Sequence, residues 1–272
     1  MWPPRKRFEI KADILGPGRG MKREVNFLNR KLSWGPEGIQ YESDPKHVEM
    51  VIQDVGMQDA KPVTTPTSSQ EMRELASALD ENGEIAEEEY MSEEDATLYR
   101  SVGARMNYLA LDRSDMQQSC RCVCAHMAKP LRGCRQLIKR ASRYLQGRPR
   151  CVQTFRFVQR SNRVIAYSDS DWAGCQLKRK STSGGVLMLG SSVLRSWSSV
   201  QATMAMSSGE AELYAMIKAA SQLRYLVSIA RDFGMNLDGL VRADSTAALG
   251  GISQRAGLGG RTRHVQVQYL WI

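Results

Sequence analysis

Three carboxylates stand where this chain could do chemistry: Asp169, Glu212 and Asp244. Asp169 closes the run Arg163-Val-Ile-Ala-Tyr-Ser-Asp169. Its alternation puts Val164, Ala166 and Ser168 on one face of a strand, with Ile165, Tyr167 and Asp169 on the other. An acid at the carboxyl end of such a strand lies where α/β sheets gather ligands, and it is equally the residue type that opens a turn. Glu212 shares a helical stripe with Met216, Ala220, Leu223, Val227 and Ala230, so it should face a sheet rather than water. Glu210 has a plainer task, completing the capping box Ser207-x-x-Glu210. Asp244 follows Leu240-Val-Arg-Ala243 and reads either as a helix N-cap or as a third acid of the same kind. Carboxylates that converge need a cation between them, or one of them must stay protonated. Mg²⁺ is the natural occupant, with Mn²⁺ as a substitute. Two such ions can stabilise the attacking water and the leaving oxygen of a phosphodiester cleavage.

The elements that must hold these acids read as α/β. After the Asp169 strand come Val186-Leu-Met-Leu189 and Val193-Leu-Arg-Ser-Trp197 across Gly190-Ser-Ser192, three strands whose spacing suits antiparallel pairing. A long helix is expected from Ser208 to Phe233 with Gly234 as its stop, then the strand Leu240–Ala243 and a turn or helix from Asp244. Upstream, strands are expected at Phe8–Ile14, Val25–Trp34 and Ile39–Glu42, the last pair joined by Gly35-Pro-Glu-Gly38. Asp44-Pro45 caps a short helix that Gly56 closes. The stretch from Thr67 to Asp95 is polar and acidic and is expected to be a loosely ordered linker. Helical periodicity then runs through Tyr99–Leu109, Asp115–Met127 and the segment from Pro130 to Gly147.

Charge points to polyanionic partners. Lys and Arg number 38 against 29 Asp and Glu, a net +9, and the acids cluster between Glu81 and Asp95. Arg132, Arg135, Lys139 and Arg143 line one helix face, and Lys178, Arg179 and Lys180 follow the acidic strand. Each set is either a phosphate track or a solvated face. Cys120-x-Cys122-x-Cys124 lacks zinc-knuckle spacing, and Met116, Cys120, Val123, Cys124 and Met127 form an apolar stripe instead. No apolar run approaches a membrane span and the start Met1-Trp-Pro-Pro-Arg-Lys-Arg7 is no signal peptide, so an intracellular location, cytoplasmic or nuclear, is expected.

Tyr167-Ser-Asp-Ser-Asp-Trp-Ala-Gly174, Arg179-Lys-Ser-Thr-Ser-Gly184, Ser196-Trp-Ser-Ser199, Ser207-Ser-Gly-Glu-Ala-Glu-Leu-Tyr214 and Arg261-Thr-Arg-His264 resemble the ribonuclease H segment of copia-type LTR-retrotransposon Pol polyproteins. Asp44-Pro-Lys-His47, Tyr99-Arg-Ser-Val-Gly103, Asn107-Tyr-Leu-Ala110 and Arg143-Tyr-Leu-Gln-Gly147 resemble the stretch those polyproteins carry between polymerase and ribonuclease H. The resemblance implies a ribonuclease H-like mixed sheet flanked by helices, preceded by a smaller α+β hairpin-and-helix region. It divides the chain into a polymerase palm/thumb tail (1–66), an acidic linker (67–97), a helical connection (98–155) and a ribonuclease H-like domain (156–272). It further implies cleavage of the RNA strand of RNA–DNA hybrids with two Mg²⁺ ions, with Asp169, Glu212 and Asp244 as catalytic metal ligands. The family's fourth acid, in an Ala-Asp segment beyond the last strand, is not met before Tyr269-Leu-Trp-Ile272, and the palm motifs are not met after Met1. The domain is therefore expected to be truncated, with weakened cleavage and no reverse transcription. His264 is a family signature residue that also fits the start of a packed helix with Val265, Val267, Leu270 and Trp271. The rival reading is a non-catalytic module gripping nucleic acid through its two basic sets.

Overall fold

The structure, a computed structural model, describes residues 12–78, 85–157, 161–175 and 179–244. It is a mixed α/β architecture with two four-stranded sheets. β1 (Glu24–Phe27), β2 (Arg30–Trp34), β3 (Gly38–Glu42) and β4 (Val152–Arg156) form the first sheet in that order, all antiparallel. Leu28 and Asn29 both take positive φ (49° and 64°), so a two-residue turn splits the single strand expected over Val25–Trp34 into a hairpin. The part of the expected Phe8–Ile14 strand that lies within the described residues is not a strand.

Between β3 and β4 sits a helical layer of α1 (Pro45–Val55), α2 (Ser69–Ala76), α3 (Glu93–Leu109), α4 (Gln117–Cys124) and α5 (Cys134–Gly147). α1 forms as its sequence dictates: Asp44 accepts from the Lys46 N–H, Pro45 opens the helix, and Gly56 ends it at φ 68°. Val51, Val102, Met106, Val123, Ala141 and Leu145 are fully buried in one shared core. The Cys stripe belongs to that core, and Cys122 is buried alongside Cys120 and Val123. The linker expected over Thr67–Asp95 is not loose throughout. Ser68 and Glu71 cap α2, which sinks Leu75 into the core, and Glu71 receives the Arg140 guanidinium.

The second sheet runs β7-β6-β5-β8, with β5 (Arg163–Cys175), β6 (Lys180–Leu189), β7 (Ser192–Val200) and β8 (Asp238–Arg242). β5, β6 and β7 are antiparallel, while β8 pairs parallel to β5. A parallel pair needs a long crossover, and α6 (Ser208–Asp232) supplies it, ending at Phe233 before Gly234 at φ 75°. Val164, Ala166 and Leu187 pack beneath Ala219 and Leu223 of α6. Gly185 has no room for a side chain, because a Cβ there would lie 2.1 Å from the Trp197 ring. Gln201 locks the start of α6 to the sheet, donating to the Ser183 hydroxyl (3.0 Å) and the Ala211 carbonyl (2.8 Å). None of the helices among the described residues is long and apolar enough to cross a membrane.

Candidate metal centre

The alternation of β5 buries Val164, Ala166 and Ser168 and exposes Asp169 as expected, but the strand does not close at Asp169: it stays paired with β6 through Asp171 and runs on to Cys175. The Asp171-to-Cys175 bulge then turns the chain away, with Ala173 at φ 53°. Glu212 lies in the second turn of α6, half-buried, on the stripe that continues through the buried Met216, Ala220 and Leu223. β8 runs beside β5, and Asp244 follows two residues after its end. Ligand oxygens of Asp169, Glu212 and Asp244 all lie within 4.8 Å of one another.

Ser170 organises this meeting. Its backbone N–H donates to Asp169 Oδ1 (2.9 Å) and to Glu212 Oε1 (3.1 Å), and its hydroxyl donates to the same Glu212 oxygen (2.6 Å). Glu212 Oε2 is buried and accepts nothing among the described residues. Partial burial pushes the Glu212 carboxyl above its ordinary value. The Ser170 hydrogen bonds oppose that rise, and the charges of Asp169 and Asp244 reinforce it. The ion pairs formed among the described residues all lie elsewhere. Three acids without a cationic side chain, one of them holding a buried lone pair, fit a hard divalent cation with oxygen ligands.

Glu210 is the more buried acid and is spent on structure. Its N–H donates to Ser207 Oγ (3.2 Å), while its carboxylate accepts from the Met206 N–H (2.8 Å) and the Tyr214 hydroxyl (2.6 Å). The reach-back thus passes one residue beyond the helix cap expected to receive it.

Over 202 residues the chain is 31% identical to an uncharacterized mitochondrial protein of Arabidopsis thaliana, covering 73% of this chain and 77% of that protein. It is 26% identical, over 98% of its length, to the retrovirus-related Pol polyprotein from transposon TNT 1-94 of Nicotiana tabacum. To the retrovirus-related Pol polyprotein from transposon RE1 of Arabidopsis thaliana it is 29% identical over 78% of its length. The chain belongs to the copia-type retrotransposon Pol family. It spans 19% of the first of those polyproteins and 13% of the second. No protein-family profile matches it, and no solved structure does.

In this Pol-family chain the basic residues separate by task. Arg132 lies before α5 rather than on its face and donates to the Tyr90 carbonyl (3.2 Å), while Arg135 and Arg143 on the helix donate to Asp95 (2.7 Å) and the Lys61 carbonyl (2.7 Å), so all three are engaged with the segments that wrap the helix. Lys139 is half-buried on the same helix. Arg179 and Lys180 stand where β6 begins, opposite Cys175 rather than Asp169, Arg179 exposed and Lys180 donating to the Ala202 carbonyl (2.9 Å). Lys178, His264 and the helix expected after Asp244 lie outside the described residues. Ser170 and Gln201 carry no chemical signature in the sequence, and only the strand-to-helix contact reveals what they do.

Proposed function

We propose that this chain is a ribonuclease H that cleaves the RNA strand of RNA–DNA hybrids, with Asp169, Glu212 and Asp244 holding two Mg²⁺ ions. The observation that carries this is the clustering of these carboxylates within 4.8 Å, from the middle of β5, the start of α6 and the residue two beyond β8, in a chain of the copia-type Pol family. When bound, divalent ions would supply charge neutralisation at the scissile phosphate and lower the pKa of the attacking water. The chain's own contribution is positional. Ser170 draws the Asp169 and Glu212 oxygens together, α6 sets Glu212 against β5, and the Glu212 Oε2 lone pair, which accepts nothing among the described residues, suits a ligand.

In this reading residues 156–272 are the ribonuclease H-like domain of a larger Pol polyprotein. Residues 98–155 are its helical connection, 67–97 a linker and 1–66 the tail of the polymerase palm and thumb. The internal bonds of Arg132, Arg135 and Arg143 favour this over a non-catalytic module that grips nucleic acid through that face. The test is a labelled RNA–DNA hybrid incubated with the full chain and Mg²⁺. RNA-strand cleavage that falls on the order of 100-fold or more in Asp169→Asn is expected. Cleavage unchanged by that substitution would exclude the site.

A further inference from the structure

Beyond the acids, β5 and the segment leading from β7 into α6 carry an apolar surface that nothing above uses. Trp172 is 51% exposed, Met204 58% and Met206 74%. They are contiguous because the Trp172 Nε1–H donates to the Ala205 carbonyl (3.2 Å), and Lys180 pins the same segment through the Ala202 carbonyl (2.9 Å). The Ala173 N–H bonds the Ser181 hydroxyl across the turn (3.1 Å), and the Met206 N–H bonds Glu210 (2.8 Å). Every segment carrying this surface is thus fastened while its apolar faces stay in water. An indole whose only donor is satisfied internally presents just its π-faces and edge outward. Trp172 lies three residues beyond Asp169 on β5, and Met206 immediately precedes Ser207, the N-cap of the helix that carries Glu212.

We infer that Trp172, flanked by Met204 and Met206, is a stacking platform for a nucleotide of the hybrid adjacent to the scissile phosphate, and so fixes where along the strand cleavage falls. This rests on the ribonuclease H reading. What selects a nucleic-acid strand over another apolar partner is the neighbourhood: the exposed guanidinium of Arg179 at the start of β6 for phosphates, and Asp169 of the acid cluster three residues before Trp172 on β5. The soft thioethers of Met204 and Met206 suit sugar and base edges of any sequence.

The test is made on the full chain with an RNA–DNA hybrid in Ca²⁺, so that binding is read without turnover. Trp172→Ala is expected to weaken hybrid binding roughly 5-fold to 100-fold, and Trp172→Phe to restore most of it. Hybrid should quench tryptophan emission in the native chain and not in Trp172→Phe. Equal affinity in Trp172→Ala, quenching that persists in Trp172→Phe, or no hybrid binding by the native chain would overturn the platform. So would a dimer in light scattering that Trp172→Ala dissolves, because the face would then serve a second copy. The two ideas fail separately. Binding through Trp172 with no Mg²⁺-dependent cleavage sinks the ribonuclease reading alone, whereas normal cleavage with a silent Trp172→Ala sinks the platform alone.

Discussion

The surroundings of Glu212 push its carboxyl above its ordinary value, burial first among the causes, and Oε2 accepts no hydrogen bond among the described residues. A carboxyl whose folded pKa lies above its ordinary 4.5 adds most to stability below that value and loses the contribution as pH climbs through the raised one. Without metal, Glu212→Gln should therefore raise the Tm of the chain at neutral pH. The same substitution should remove the metal response. Mg²⁺ at ten times its Kd is worth about 1.4 kcal/mol, or roughly 3–6 °C in Tm, to the native chain and nothing to the variant. Calorimetric scans with and without Mg²⁺ check both halves. The meeting of Asp169 and Glu212 was legible in the sequence because strand and helix periodicity aims each of them, whereas Asp244 was read from its place after a strand, where a helix N-cap was the equal alternative. Ser170 was not, since a serine between two aspartates looks like turn filler until a helix is placed against it.

Two helix starts of the same chemical type show how far local signals reach. Ser207-x-x-Glu210 is read from the sequence as a cap and opens α6, whereas Ser68-x-x-Glu71 has the same spacing inside an acidic stretch that reads as linker. What rescues α2 is non-local: Leu75 reaches the α5 layer and Arg140 meets Glu71 at 3.1 Å. Ser68→Ala should cost about 1 kcal/mol, measurable by urea unfolding. The Leu28-Asn29 turn was missed for a related reason. Asn tolerates positive φ but Leu does not advertise it, so the alternation reads straight through. Leu28→Gly should accordingly raise stability by about 0.5–1 kcal/mol, and an unchanged or lowered urea midpoint would deny strain at that turn.

The two sheets meet through the helical layer. α4 lies on β7, where Ser196 donates to the Ser114 hydroxyl (3.0 Å) and Ser198 to Gln118 (2.7 Å), and Gln153 of β4 reaches the Val193 carbonyl. This covers an edge strand that would otherwise be open to pairing. Arg113, 1% exposed, sits at the junction. It grips Asp115 with two bonds (3.1 and 2.7 Å) and the Arg148 carbonyl (2.9 Å) just before β4, while Tyr144 adds a third bond to Asp115. Burial would raise the Asp115 carboxyl, but the Arg113 and Tyr144 hydrogen bonds outweigh it and hold it below 3.8. That stabilisation is present above the ordinary carboxylate value and disappears as pH falls through the lowered one. Arg113→Met should cost about 3–5 kcal/mol by stranding Asp115, a Tm drop of roughly 6–20 °C. None of these long-range pairings carries a sequence signature, because each joins residues whose types are ordinary where they stand. For the molecule as a whole the deciding measurement is a Mn²⁺ titration followed by electron paramagnetic resonance, comparing the native chain with Glu212→Gln. Saturable binding in the native chain that Glu212→Gln abolishes is the expected result, and the same binding curve in both would contradict a shared site at Asp169, Glu212 and Asp244.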